Sequence, residues 1–249
     1  MVFLTMYGEI EVMIGKVIAS ILLCERRRRM KTGELNLKTQ IIGSNDDKNT
    51  YEVRRTWDEN GKTAIVIELY PTVNVLNIDK MDVSTMHLMN HVKELGWGSV
   101  RIVNLYSTVF YEKPRTSMLL EDEENMEYLK TIFSQNDIKE HDIIIAWGSG
   151  LSNHLLTSKK KLAILELLSK KKLDGLVKCI EPEYMDDITQ QGVHPLFLGL
   201  HHGKEKWCLS KYDVKVAISQ LKKLIDKSKE KTVEKKVEKE DADVLQSNE

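Results

Sequence analysis

The residues whose types and spacing could do chemistry stand where apolar runs stop. Glu68 precedes Tyr70-Pro71-Thr72. Asn104 lies near the end of Ser99–Tyr106, Trp147-Gly148-Ser149-Gly150 follows Ile143-Ile144-Ile145-Ala146, and His194-Pro195 opens a late apolar segment. An Asn amide offers a donor and an acceptor to a base edge or another amide-like group, although it can equally cap the turn that follows it. His194 can act as an electrophile or proton donor near neutral pH; its plainer role is a loop histidine bonded to backbone and stiffened by Pro195. Tyr70, a phenol with a pKa of about 10, is a poor base at pH 7. Glu68 is two residues earlier, and strand alternation puts it on Tyr70's side. His194 and Glu68 are therefore the catalytic candidates. The ligand-binding candidates are Tyr70, Pro71, Asn104, Trp147, Gly148, Ser149 and His194.

Gly148-Ser149-Gly150 before a helix would offer free N–H groups to a phosphate. No Lys-Ser/Thr follows at the spacing of a P-loop, and a tight turn is the plainer reading. Lys159 and Lys160, and Lys204 and Lys206, are candidates for holding a nucleic-acid backbone, although such lysines more commonly form a solvated face. His87 and His91 have metal-ligand spacing, but Leu88 stands where the zinc-protease motif has its general-base Glu, so no metal and no cofactor are expected. The acidic run Glu121-Asp122-Glu123-Glu124 suits a helix N-terminus.

These positions need elements to hold them. Tyr51–Trp57 alternates as a strand, Asn60-Gly61 signals a turn, and Thr63–Leu69, Ser99–Tyr106, Ile143–Ala146 and Leu176–Ile180 are strands of buried character. Pro71 forces the chain out of the sheet. Helices are expected over Asp82–Leu95 (capped by Asp82 or Ser84, ended by Gly96, with Met86, Met89, Val92 and Leu95 on its apolar face), Glu121–Phe133, Ser152–Lys172 and Ser210–Lys227. Glu181–Gln191 is polar loop. The alternation predicts an α/β domain with an open, mostly parallel central sheet and helices on both faces, spanning 30–209 with its core at 50–209. A helix over 210–228 follows, and then a charged tail, 229–249, too polar to order itself. Right-handed crossovers bring the strand C-termini to one edge, so Tyr70, Asn104, Trp147 and His194 should converge on one cleft wide enough for a flat ring.

The 249 residues carry 37 Lys+Arg against 38 Asp+Glu, which leaves no global field to draw in nucleic acid; a basic site must be local. Three scattered cysteines without Cys-x-x-Cys indicate neither a disulfide framework nor zinc, and fit a reducing cytoplasm. The apolar stretch Val12–Cys24 is interrupted and too short for a bilayer span, and no membrane partner is expected. Residues 1–29 read as an over-long gene prediction or an apolar extension. Glu25–Arg29 back-translates to a purine run resembling a ribosome-binding site before Met30, and native N-terminal sequencing that began before Met30 would end that idea.

Leu69-Tyr70-Pro71-Thr72, Gly96-Trp97-Gly98, Val103-Asn104-Leu105, Ala146-Trp147-Gly148 and His194-Pro195-Leu196-Phe197-Leu198, in that order, resemble the bacterial and phage family catalogued as domain of unknown function 1643. Tyr70 departs from it, standing where the family usually has Asn. More distantly, the order of Tyr70-Pro71, Asn104, Trp147-Gly148 and His194-Pro195 is similar to the uracil-DNA glycosylase superfamily. There an Asp before the proline activates water, the Asn reads the uracil edge, and the His steadies the charge of the leaving base. That resemblance implies a uracil-DNA-glycosylase-like fold, with Tyr70 in place of the Asp. The first resemblance implies a phage or mobile-element setting. Together they lead to the expectation of a nucleic-acid-associated binding protein with a base- or nucleotide-sized pocket and without standard uracil excision. DNA or RNA, single-stranded or with a flipped base, would be the partner. The alternatives are an active glycosylase-like N-glycosyl hydrolase and a scaffold or decoy that binds protein partners from the same mobile element.

Overall fold

Short runs of β-branched residues that can be buried on both sides make central strands, and the chain has four such runs. The computed structural model describes residues 32–184 and 192–228, with 13, 15–18 and 20. The proposed start at Met30, the tail 229–249 and most of the loop before Gly192 lie outside the described residues. Residues 1–36 and 37–249 form separate units; in the first, positions 13, 15–18 and 20 are helical, 32–36 have no regular structure, and all of these are exposed. Among the described residues no helix is long and apolar enough to cross a membrane.

The second unit is built on seven strands: β1 Lys38–Gly43, β2 Thr50–Thr56, β3 Lys62–Glu68, β4 Trp97–Asn104, β5 Asp142–Ile145, β6 Val177–Pro182 and β7 Trp207–Lys211. Their order is β1-β2-β4-β3-β5-β6-β7. β4, β3, β5 and β6 pair in parallel, while β1–β2, β2–β4 and β6–β7 are antiparallel. The sheet is thus mixed, with a parallel centre and antiparallel flanks, and the expectation of a mostly parallel sheet holds for its centre. β1 and β7 add flanks that the sequence did not announce. β1 alternates between exposed and half-buried residues, as an edge strand can, and so carries no strong apolar signal.

Four helices with defined ends pack on this sheet: α1 Val83–Leu95, α2 Glu123–Ile132, α3 Leu155–Lys170 and α4 Pro195–His202. A fifth, α5, covers 214–228. Asp82 caps α1, accepting from the Thr85 N–H at 2.8 Å, and Gly96 ends it in the left-handed conformation at φ 73°. The buried face of α1 is Thr85, Leu88, His91, Val92 and Leu95, with Met89 packed against the core as expected; of the expected apolar face only Met86 is exposed. Asp122 caps α2, with Glu123 and Glu124 in the first turn. Asp213 accepts from the Val216 N–H, so α5 starts after Asp213, while Ser210 belongs to β7.

Strand alternation divides the core in two. Ile65, Ile67, Val103, Ile143 and Ile145 face α2, α3 and α5, through Leu129, Ile132, Leu165, Leu168 and Val214. Ala64, Val66, Val100, Ile102 and Ile144 face α1 and α4, through Leu88, Val92 and Leu198. Helices therefore cover both faces, and burying each of these aliphatic side chains contributes roughly 1.5–3 kcal/mol. Even-numbered residues of β3 and β4 point toward α1 and α4. Glu68 and Asn104 end those rows.

Candidate functional site

Past Glu68 the chain cannot continue as strand, because Pro71 intervenes, yet it stays pinned along β4. Leu105 N–H donates to Glu68 O and Tyr106 N–H to Leu69 O, both at 3.0 Å, and Phe110 N–H to Pro71 O at 2.9 Å. This segment, the end of β4, the turn after β5, the N-terminus of α1 and the start of α4 enclose a cavity of about 570 Å³. Tyr70, Pro71, Asn104, Trp147, Gly148, Ser149, His194 and Glu68 all line it. So do others that the sequence did not single out for the site, among them Thr72, Asp82, Phe197 and Leu200. Asp82 was visible only as a helix cap, and Phe197 only as part of an apolar motif.

The floor is polar and unpartnered. Glu68 is 7% exposed and Asn104 1%, yet Glu68 Oε1, Asn104 Oδ1 and the nearby Thr72 Oγ1 are buried without a hydrogen-bond partner. Buried polar atoms normally find partners, so three orphans in one cavity leave hydrogen-bonding capacity for water or a ligand to fill. Asn104 is not a turn cap. Asn125 Nδ2 holds that turn instead, donating to Asn104 O at 2.8 Å, and Asp122 Oδ2 accepts from the Ser107 N–H and hydroxyl at 2.8 and 2.6 Å.

His194 bonds to backbone, as the plainer of its two readings expects. Its Nδ1 accepts from the Leu196 N–H at 3.2 Å, capping α4, which leaves the ring proton on Nε2. That Nε2 lies 3.8 Å from Glu68 Oε2. Burial pushes the Glu68 carboxyl up to about 8, with the Asp82 charge adding to it. Burial pushes His194 down to about 4, against a smaller pull from Asp82. At pH 7 both are neutral, and the close pair is not an ion pair.

Gly148 shapes the cavity rim. It has φ 60°, its N–H donates to Gly192 O at 2.8 Å, and a Cβ there would lie 3.0 Å from the Cβ of His194. The absence of a side chain lets the two loops meet.

Several sequence expectations change in the structure. Tyr70 lies beyond the end of β3, so it does not share Glu68's side. Its ring packs edge-on against Phe110, 5.7 Å away, with the α2/α3 core. α3 begins at Leu155, not Ser152, so Gly148-Ser149-Gly150 is separated from the helix N-terminus and is no phosphate cradle of that kind. Trp147 is mostly core, edge-on to Tyr212, with Lys161 Nζ 5.4 Å from its ring. Lys160 is buried beside Glu121 at 3.5 Å and over the Tyr106 ring, hence unavailable to a nucleic-acid backbone. Lys159 and Lys204 are exposed, and Lys206 pairs with Glu183 at 3.0 Å. Lys159 and Lys160 are on α3, and Lys204 and Lys206 are in the segment after α4, on the other face of the sheet, so the four do not make one basic surface. Trp207 is fully buried and stacked 3.9 Å from the His91 ring. The large ring open at the cavity mouth is Phe197, 48% exposed. His91 bonds Glu94, and among the described residues no cluster of three or more His, Cys, Asp or Glu could hold a metal.

No curated protein and no solved structure matches the chain. A family model described as "Protein of unknown function (DUF1643)" matches residues 50–196, more than half of the chain and the part that carries every wall of the cavity up to the first turn of α4. The chain belongs to that family.

Proposed function

We propose that this protein binds a nucleobase, free or exposed in nucleic acid, in the cavity at the strand C-termini, without standard uracil excision. The observation that carries this reading is the pairing of apolar walls with buried, unpartnered Glu68 Oε1, Asn104 Oδ1 and Thr72 Oγ1. A flat ring with a polar edge is the ligand class that satisfies both. The order of Tyr70-Pro71, Asn104, Trp147-Gly148 and His194-Pro195, similar to that of uracil-DNA glycosylases, supports it as analogy. Phe197 at the mouth offers a face for a neighbouring base to stack on.

The test combines a gel assay with uracil-containing single- and double-stranded DNA and direct titration of nucleosides. Binding that leaves the DNA intact, and that is weakened by Asn104→Ala, is the expected result. Failure to bind any nucleic acid or nucleoside, together with a stable protein partner in a pull-down, would favour a scaffold.

The Glu68–His194 pair favours one second reading, an N-glycosyl hydrolase. Water would form a bond to C1′ while the C1′–N bond breaks and its electron pair leaves on the base. The water's proton would go to the Glu68 carboxylate, and His194 Nε2–H would donate to the base. Because Glu68 is protonated up to about 8, such activity would rise with pH through that value and vanish in Glu68→Gln.

A further inference from the structure

Resting on the base-binding reading, the polarity of the cavity floor narrows which base fits. Glu68 and Asn104 are register partners on adjacent parallel strands and point to the same face, so their polar ends sit side by side about 4.8 Å apart at the backbone. His194 Nε2–H is on the other side of Glu68, next to Oε2. With Glu68 ionised, the groups without a hydrogen-bond partner across the floor therefore read donor, acceptor, acceptor: His194 Nε2–H, Glu68 and Asn104 Oδ1. Asp82, at the α1 N-terminus, adds negative charge, and no Lys or Arg is among the described residues lining the cavity. Such a floor repels carbonyl oxygens at its Asn104 end and gives a phosphate nothing to pair with.

We propose that the cavity selects a base of guanine type, with its O6 on His194 Nε2–H, its N1–H on Glu68 and its 2-amino group shared between Glu68 and Asn104 Oδ1. Uracil presents acceptor, donor, acceptor, so its second carbonyl would face the Asn104 oxygen. Carboxylate acceptance of adjacent N–H groups is among the stronger neutral-ligand contacts, and leaving the floor unpaired is costly. The groups facing Glu68 are His194, Asp82 and Asn104. His194 is neutral, so a donor edge is what would draw Glu68 into its ionised form. Glu68 is protonated at pH 7 in the empty site, so guanosine binding should release about one proton, while uridine binding should release none.

The experiment is titration calorimetry of the full chain with guanosine, inosine and uridine at pH 7, in two buffers of different ionisation enthalpy. Guanosine is expected to bind about tenfold or more tightly than inosine, which lacks the 2-amino group, and more tightly than uridine, with proton release. Asn104→Ala should shrink the guanosine-over-inosine ratio toward one, a readout that partial loss of fold would not imitate. Uridine binding as tightly as guanosine, or guanosine binding without proton release, overturns the guanine assignment and leaves the base-binding reading in place. No binding by any of the three overturns the guanine assignment, and joined to a gel assay without binding to any nucleic acid it overturns the base-binding reading as well.

Discussion

Glu52 on β2 and Glu68 on β3 are carboxylates in strands of one sheet, both nearly closed to water, and they end in opposite states. Glu52 points toward α2. Burial alone would push its carboxyl up, but Arg101 donates to both oxygens at 2.8 Å, Tyr128 donates at 2.8 Å and Arg54 at 3.0 Å, and the balance lies below the usual carboxylate range. Glu68 points toward α1 and α4, meets no cation, and burial with the Asp82 charge raises it to about 8. The same residue type at similar depth is a structural rivet in one place and an unfilled socket in the other. The difference is whether the fold itself supplies partners.

The comparison breaks most visibly on the rivet. Glu52→Ala leaves the buried Arg101 guanidinium unpaired and should cost about 3–5 kcal/mol in urea unfolding. A loss below about 1 kcal/mol would mean the network is incidental.

The socket should respond in the other direction. With its folded pKa raised, Glu68 stabilises fully below its unfolded value, and that contribution is lost as pH rises toward about 8. His194, depressed to about 4, stabilises above its unfolded value and loses this as pH falls. The two oppose one another between roughly 4.5 and 6.5, so the uncompensated fall in stability lies between about 6.5 and 8. Glu68→Gln should flatten that fall and stabilise the protein at pH 8 by about 1–3 kcal/mol, while weakening guanosine binding. Thermal unfolding across this pH window is the measurement, and an unchanged slope would place the titration elsewhere.

Gly148→Ala forces a side chain into a left-handed backbone against His194 and should cost about 1–2 kcal/mol, with a matching loss of ligand affinity as the His194 loop shifts. Unfolding and nucleoside titration on the same sample read both effects. The smallest effect belongs to the surface: Lys206→Ala, which breaks an exposed pair with Glu183, should leave the unfolding midpoint and nucleoside binding unchanged. A large loss of binding there would point to a site outside the cavity.

Much of the frame was legible because its signals are local. The strands at 50–56, 62–68, 97–104 and 142–145 are dense in β-branched residues, and Asp82, Gly96 and Asp122 mark helix ends by chemistry that acts within a few residues. β1 and β7 were missed because flank strands take their order from pairing rather than from their own composition. α4 was missed because Pro195 and Gly199 obscure an eight-residue helix. Gly199 is there for packing: a Cβ would meet the His87 ring 1.9 Å away. Tyr70 was placed on the wrong side because alternation stops where the strand stops, at Glu68.

The sequence by itself determined that Glu68, Asn104 and Trp147 stand at strand ends and that His194 opens a later apolar segment, since apolar periodicity and Pro or Gly breaks are written residue by residue. Only the tertiary structure decided which of them lack partners. Asn104 Oδ1 stays free because Asn125, 21 positions later, serves the turn in its place, and Glu68 stays uncharged because among the described residues no cation pairs with it; Arg55, on the same face, bonds Thr39 and the Lys80 carbonyl instead. Partnership between side chains distant in sequence is a property of packing, and it is packing that separates a site from a scaffold.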